Sequence, residues 1–178
     1  MLITLWGKAG SGKSTVAKKL AEKLGYEVIS IGNMKRQLAA EMWLDIQSFN
    51  LLGEKPENRE TFDLKYEEYQ KSLPLNGKII LDSRLGFYAQ PKAFRILLDV
   101  QDKVAAQRIL GDQRSTETAK DLAQSLQEVK KRNKADQERY IKLYNIDIRD
   151  HKNYSLVIDT SDKTIDEIIK TIEKNLKA

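Results

Sequence analysis

The chain is 178 residues long, a length that one hydrophobic core can serve, so residues 1–178 are expected to form a single domain. Its 31 Lys and Arg against 26 Asp and Glu give a net charge of +5, and 40% hydrophobic with 32% charged residues excludes a disordered polyelectrolyte. With no cysteine and the single histidine His151, disulfides, thiolate zinc sites, cysteine nucleophiles and paired-histidine metal sites are excluded, so any metal must take oxygen ligands.

The apolar start at residues 2–6 reads as a short strand. It lacks a basic leader and falls far below the roughly 20 residues of a membrane span. A cytoplasmic protein without membrane contact is therefore expected. A glycine-rich stretch follows at residues 7–14, and then a helix with Val16, Leu20 and Leu24 on one stripe, closed by Gly25. Further strands are expected at residues 27–31, 78–82, 94–100 and 155–159.

The connections between them are too long for ordinary loops. Residues 33–77 should form one helical insert, with helices at 34–42 and 57–72 divided by a break at 53–56. After a helix at 102–110 and a polar turn at 111–116, a long helix is expected from 117 to 143, so that residues 111–145 make a second insert. The final helix carries Ile165, Ile168, Ile169, Ile172 and Leu176 on one face, with Thr164 and Glu167 spaced as a capping box. Strands alternating with helices predict an α/β fold of three layers around a five-stranded parallel sheet, decorated by the two helical inserts.

Gly7-Lys8-Ala9-Gly10-Ser11-Gly12-Lys13-Ser14 fits G-x-x-x-x-G-K-[ST], and it lies after a strand and at a helix start, where the mechanism needs it. In such a loop the glycines let backbone N–H groups turn inward around phosphates, aided by the positive end of the helix dipole. Residues 7–14 and the adjoining Thr15 are therefore the expected ATP site of a P-loop NTPase-type fold. Lys13 would reach the β- and γ-phosphates, and the Ser14 hydroxyl would complete a Mg²⁺ shell. The loop names the cofactor and not the reaction. Asn133-Lys134-Ala135-Asp136 matches the guanine-reading N-K-x-D string of GTPases, but it falls inside a charged helical stretch instead of following a buried strand.

Arginines mark a second ligand. Arg36 follows the second strand, Arg84 follows Asp82 at the end of the third, and Arg132, Asp136 and Arg139 fall on one helical face at i, i+4 and i+7. Ligands of parallel sheets bind at the carboxyl ends of strands, which directs Arg36 and Arg84 toward the phosphate loop. Taken singly, Arg132 and Asp136 could equally be a surface ion pair.

With the residue 7–14 loop, the Gly32 to Arg36 turn, Asp82-Ser83-Arg84, the Arg132-x-x-x-Asp136-x-x-Arg139 spacing and Leu156-Val157-Ile158-Asp159-Thr160, the chain resembles the cytidylate kinases, nearest their compact branch. The resemblance covers nearly the whole chain. It implies that Arg36, Arg84 and Arg132 bind the acceptor phosphate beside Ser30, with Lys13, Arg84 and Arg132 serving the transfer. It also implies that Asp136 and Arg139 address the ribose and cytosine edge, that Asp82 orients Mg²⁺ through water, and that Arg108 and Arg114 are lid arginines over ATP. This chain departs from the family at Ile31, Asn33 and Ser83, where a small residue, an aspartate and a glycine are usual.

The function so implied is transfer of the ATP γ-phosphate to CMP, or to dCMP or UMP, by a monomer whose partners are small nucleotides and not nucleic acid. Two alternatives stay open: a P-loop kinase for another small phosphorylated acceptor, and an ATP-switched regulatory module that binds nucleic acid through its positive charge.

Overall fold

The computed structural model describes residues 1–53, 55–58, 60–111 and 121–177. Five parallel strands run β1 (Leu2–Gly7), β2 (Glu27–Ser30), β3 (Ile79–Asp82), β4 (Phe94–Asp99) and β5 (Leu156–Asp159), in the spatial order β2-β3-β1-β4-β5. The register pairs Ser30 with Asp82, Leu5 with Asp82, Gly7 with Leu98 and Asp99 with Asp159. Apolar residues thus fill the middle of the sheet, while its carboxyl edge ends in glycine, serine and three aspartates. A functional site can form at that edge because the polar ends share one level.

Alternation along the strands builds the three layers. Ile3, Leu5, Ile80, Ile96, Leu98 and Ile158 face α1 (Lys13–Leu24) and α8 (Ile165–Leu176), which contribute Val16, Leu20, Ile168 and Ile172. On the opposite face Leu2, Ile79 and Leu81 pack with Ile31 and Tyr66, and Trp6 and Leu97 with Phe87, Ile148 and Tyr154. The expected ends are observed: Gly25 caps α1 with φ 66°, and Thr164 and Glu167 form the reciprocal capping box of α8.

The first insert contains more than its sequence pattern showed. It holds α2 (Ile31–Glu41), α3 (Ile46–Gly53), a 3₁₀ turn (Pro56–Asn58), a π-helical turn (Glu60–Leu64) and α4 (Lys65–Ser72). Helix α3 lies in the stretch between the helices expected at 34–42 and 57–72, where the sequence pattern predicts none. It forms around a small separate core in which Phe49 meets Phe62 edge-on at 4.7 Å, with Ala39 beneath. A short helix α5 (Gly86–Ala89) after β3 was also missed; Gly86 lies where a Cβ would stand 3.1 Å from Thr4.

In the second insert α6 (Asp102–Gly111) packs on α7 (Leu122–Tyr144) through Ala105, Ala106 and Val129. Asp121 caps α7 by accepting a hydrogen bond from the Gln124 amide at 2.8 Å. Asn133 lies within α7, buried, and donates to Asp102 at 3.0 Å, so the N-K-x-D string is part of a helix-helix contact. Among the described residues no helix is long and apolar enough to cross a membrane.

Candidate active site

The phosphate loop joins β1 to α1. Gly10 and Gly12 adopt left-handed backbone at φ 75° and 79°, conformations that cost a side-chain-bearing residue energy. Gly10 has a second reason to be glycine, since a Cβ there would stand 2.7 Å from the Ala105 backbone of α6. The loop is tied to β4 by the Lys8 amide donating to the Leu98 carbonyl at 3.3 Å and by the Lys8 ammonium against Asp99 at 2.7 Å. No side chain caps the start of α1, and the buried Ser11 hydroxyl has no partner among the described residues. Both features fit a loop whose N–H groups take an anion.

Lys13, in the first turn of α1, forms an ion pair with Asp82 at the end of β3. The other Asp82 oxygen accepts the Ser30 hydroxyl at 2.9 Å, which ties the end of β2 to the end of β3. Burial pushes the Lys13 ammonium below its ordinary pKa; Asp82 works against that shift, and Arg84 and Arg36 add to it. Arg36, beside Asn33 in α2, is likewise lowered by burial, with Asp82 opposing and the Arg84 and Arg132 charges reinforcing. Lys13, Arg36 and Arg84 thus feel one another near Asp82, and the charge of Arg132 reaches Arg36. Such a cluster is an unfavourable concentration of positive charge until a polyanion enters it.

Arg84 spends Nε and Nη2 on one oxygen of Asp136 in α7, at 3.0 and 2.9 Å. Burial disfavours its charge, but Asp136, Tyr140 and Asp82 together outweigh that penalty and hold the guanidinium above its ordinary value. Asp136, which the resemblance places at a ribose, is thus also the partner of Arg84. Arg139, expected at a cytosine edge, donates from Nη1 to the Asn50 carbonyl at 2.8 Å and from Nη2 to Asp63 at 3.0 Å.

Arg108, expected as a lid arginine, lies against the phosphate loop. It donates to the Gly10 carbonyl at 3.3 Å, to the Thr160 hydroxyl and carbonyl at 3.2 and 2.7 Å, and to the Ser161 carbonyl at 3.2 Å. The reason is geometric: Ala105, one turn earlier in α6, packs on Gly10, which brings Arg108 to the phosphate loop itself. Arg114 lies outside the described residues. Ser14 and Thr15 are exposed on the first turn of α1. Sequence reasoning missed Lys35, Asp63, Thr160 and Ser161. A signal for Asp63 did exist, in the form of a carboxylate set between Phe62 and Leu64.

A family described as "Cytidylate kinase-like family" matches residues 2–162. A cytidylate kinase of Natronomonas pharaonis is 38% identical over 182 residues, covering 100% of this chain and 90% of that protein. One from Methanocella arvoryzae is 37% identical over 183 residues and 100% of both chains. An S-adenosylmethionine-dependent nucleotide dehydratase of Lacinutrix mariniflava is 38% identical over 174 residues, which are 96% of this chain and 34% of that protein, so the chain spans about a third of that relative. Among solved structures, a shikimate kinase from Bacteroides thetaiotaomicron superposes with a TM-score of 0.68 at 13% identity over 100% of this chain and 99% of the other, a likeness of fold alone. A match of that extent, on a P-loop kinase fold, makes this chain a member of the cytidylate kinase-like family and an ATP-dependent phosphotransferase.

Proposed function

We propose that the chain transfers the γ-phosphate of ATP to CMP, giving CDP and ADP, with dCMP accepted similarly and UMP more slowly. The observation that carries this reading is that Lys13, Arg36 and Arg84 gather about Asp82 beside the phosphate loop, with the charge of Arg132 reaching Arg36. A single phosphate chain on the loop would use Lys13, whereas arginines drawn from three other elements suit a second, facing phosphate group. In this reading residues 7–15 hold ATP, Lys13 neutralises the transferring group, and Arg36, Arg84 and Arg132 hold the acceptor phosphate in line with it. Arginine suits that task because its fork binds phosphate oxygens bidentately and stays charged.

The donor set fits Mg²⁺, because Ser14 and Asp82 offer oxygens and a kinase Mg²⁺ takes few protein ligands beside substrate phosphates. Ser14 would hold the ion directly and Asp82 through water, and the bound ion would supply neutralisation of phosphate charge. Asp82 meanwhile keeps Lys13 at the end of β3, and Asp136 fixes which nitrogens of Arg84 remain to meet the acceptor. Phosphoryl transfer asks for little more than this positioning and charge neutralisation. The proposal includes a monomer acting in the cytoplasm on small nucleotides, without nucleic acid as a partner.

The test is ADP release measured over a panel of CMP, dCMP, UMP, AMP and GMP at saturating ATP. CMP or dCMP should rank first and the purines last. A purine ranking first overturns the specificity, and ADP release that ignores every monophosphate overturns the acceptor class.

A further inference from the structure

The first insert leaves the sheet at Ser30, the end of β2, and returns to β3 through α4. Both of its stems are held by one short stretch of chain, residues 82–90. At the outgoing stem the Ser30 hydroxyl donates to Asp82 at 2.9 Å. At the returning stem the side-chain amide of Gln90, at the end of α5, donates to the carbonyls of Gln70, Lys71 and Leu73 at 2.6, 3.1 and 3.0 Å. Arg84 lies between the two anchors.

The last carbonyls of an α-helix have no partner inside it, and water serves them where the end is exposed. Here the end of α4 is covered: Tyr66 and Gln70 are buried, and so is Gln90 at 6% exposed. Leu73 turns to extended backbone at φ −65° and ψ 133°, and Pro74 cannot continue the helix. Gln90 therefore supplies from 17–20 residues further along the chain what a capping side chain supplies locally. The stretch that carries it is fixed to the main sheet. The Ser83 amide donates to the Leu5 carbonyl at 3.2 Å, Gly86 lies against Thr4, and Leu85 and Phe87 are buried with Trp6 and Tyr154.

We infer that Gln90 is a positioning residue for the transfer proposed above: it roots the returning stem of the first insert on the segment that carries Arg84, so that Arg36 of the insert and Arg84 of the sheet are set to one acceptor phosphate. This rests on that reading of the site. Ser30 and Asp82 root the other stem, and they lie beside Lys13, whereas Gln90 is remote from the phosphate loop. Its loss should therefore be felt by the acceptor and not by ATP.

The experiment compares the wild type with Gln90→Met, which keeps the length and removes the donor, with Gln90→Asn, which draws the amide back from the carbonyls, and with Gln70→Met. The last is the control, because it removes a bond within α4, from the Gln70 side chain to the Tyr66 carbonyl at 2.9 Å, and leaves the carbonyls that Gln90 meets. Gln90→Met should raise KM for CMP by about tenfold with KM for ATP unchanged, and Gln70→Met should leave both within about twofold of wild type. Backbone hydrogen exchange should quicken in Gln90→Met along the described residues of 31–72, with α1 and α8 unchanged. An unchanged KM for CMP, an equal rise in KM for ATP, or an equal rise in Gln70→Met overturns the inference, as does faster exchange confined to the last turn of α4. If Gln90→Met does not fold, Gln90→Asn decides by the same division between CMP and ATP. If the wild type phosphorylates no monophosphate, the proposed function fails and exchange alone judges the rooting: quickening throughout the insert upholds it, and quickening at the end of α4 alone overturns it.

Discussion

At the phosphate loop, position is written into the backbone: Gly10 and Gly12 take left-handed φ angles, and Gly10 presses on α6 so closely that not even a methyl group fits. In the first insert, position depends on charge between distant side chains, with Asp63 pairing Lys35 and also Arg139, which lies 76 residues further along the chain. The loop also leans on the main core, whereas the insert adds to its contact with the sheet through Ile31 and Tyr66 a small cluster of its own around Ala39, Phe49 and Phe62. A site made from backbone is rigid and common to many kinases. A site made from charge pairs can be moved and respecified by a few substitutions, since one fold can host many sites.

The comparison can be broken most sharply at Lys13. Lys13→Ala should lower kcat by about 10²–10³-fold, the loss typical of one donor to developing charge, while the melting temperature stays near wild type. Activity within twofold of wild type would remove the loop from the mechanism. Gly10→Ala comes next. The forced left-handed backbone and the 2.7 Å approach to Ala105 should cost about 1–3 kcal/mol in urea unfolding and weaken ATP binding. Gly111→Ala is the control, since its Cβ would meet nothing within 4 Å among the described residues, and it should change stability by no more than about 0.5 kcal/mol.

On the acceptor side Asp136→Asn should cost about 1 kcal/mol, the lower end of the range for stranding a charged partner, because Arg84 and Asp136 are each about a third exposed. KM for the acceptor should rise with KM for ATP unchanged; a rise confined to ATP would contradict the division of labour between the two regions. The smallest effect is expected at Trp43, which is 96% exposed and held at φ 56° between α2 and α3. Trp43→Gly relieves that backbone and should leave activity unchanged, with stability between neutral and about 1 kcal/mol higher. Lost activity would mean that the exposed ring has a ligand or partner.

The two regions also differ in how far the sequence reveals them. All five strands, α1 with its Gly25 cap and α8 with its capping box could be read because their signals are local: β-branched runs, a 3.6-residue stripe, a glycine after the last turn. The loop was legible for the same reason. In the first insert α3 went unread, because its apolar residues pack on the insert's own small core and not on the sheet, and a π turn has no local signature. Arg36, Arg84, Arg132 and Asp136 could be named from spacing and resemblance, but their partners could not. Nothing near Asp136 in sequence announces Arg84, and nothing near Arg139 announces Asp63. Arg108 shows the same limit from the other side, since its contacts with Gly10 and Thr160 exist only once α6 and β5 are folded together.

The most direct test of the central claim follows the products themselves. Purified protein with ATP, Mg²⁺ and CMP should yield CDP and ADP in equal amounts by anion-exchange chromatography, with neither formed when CMP is omitted. ADP appearing without CDP, or equal yields of ADP with and without CMP, would contradict it.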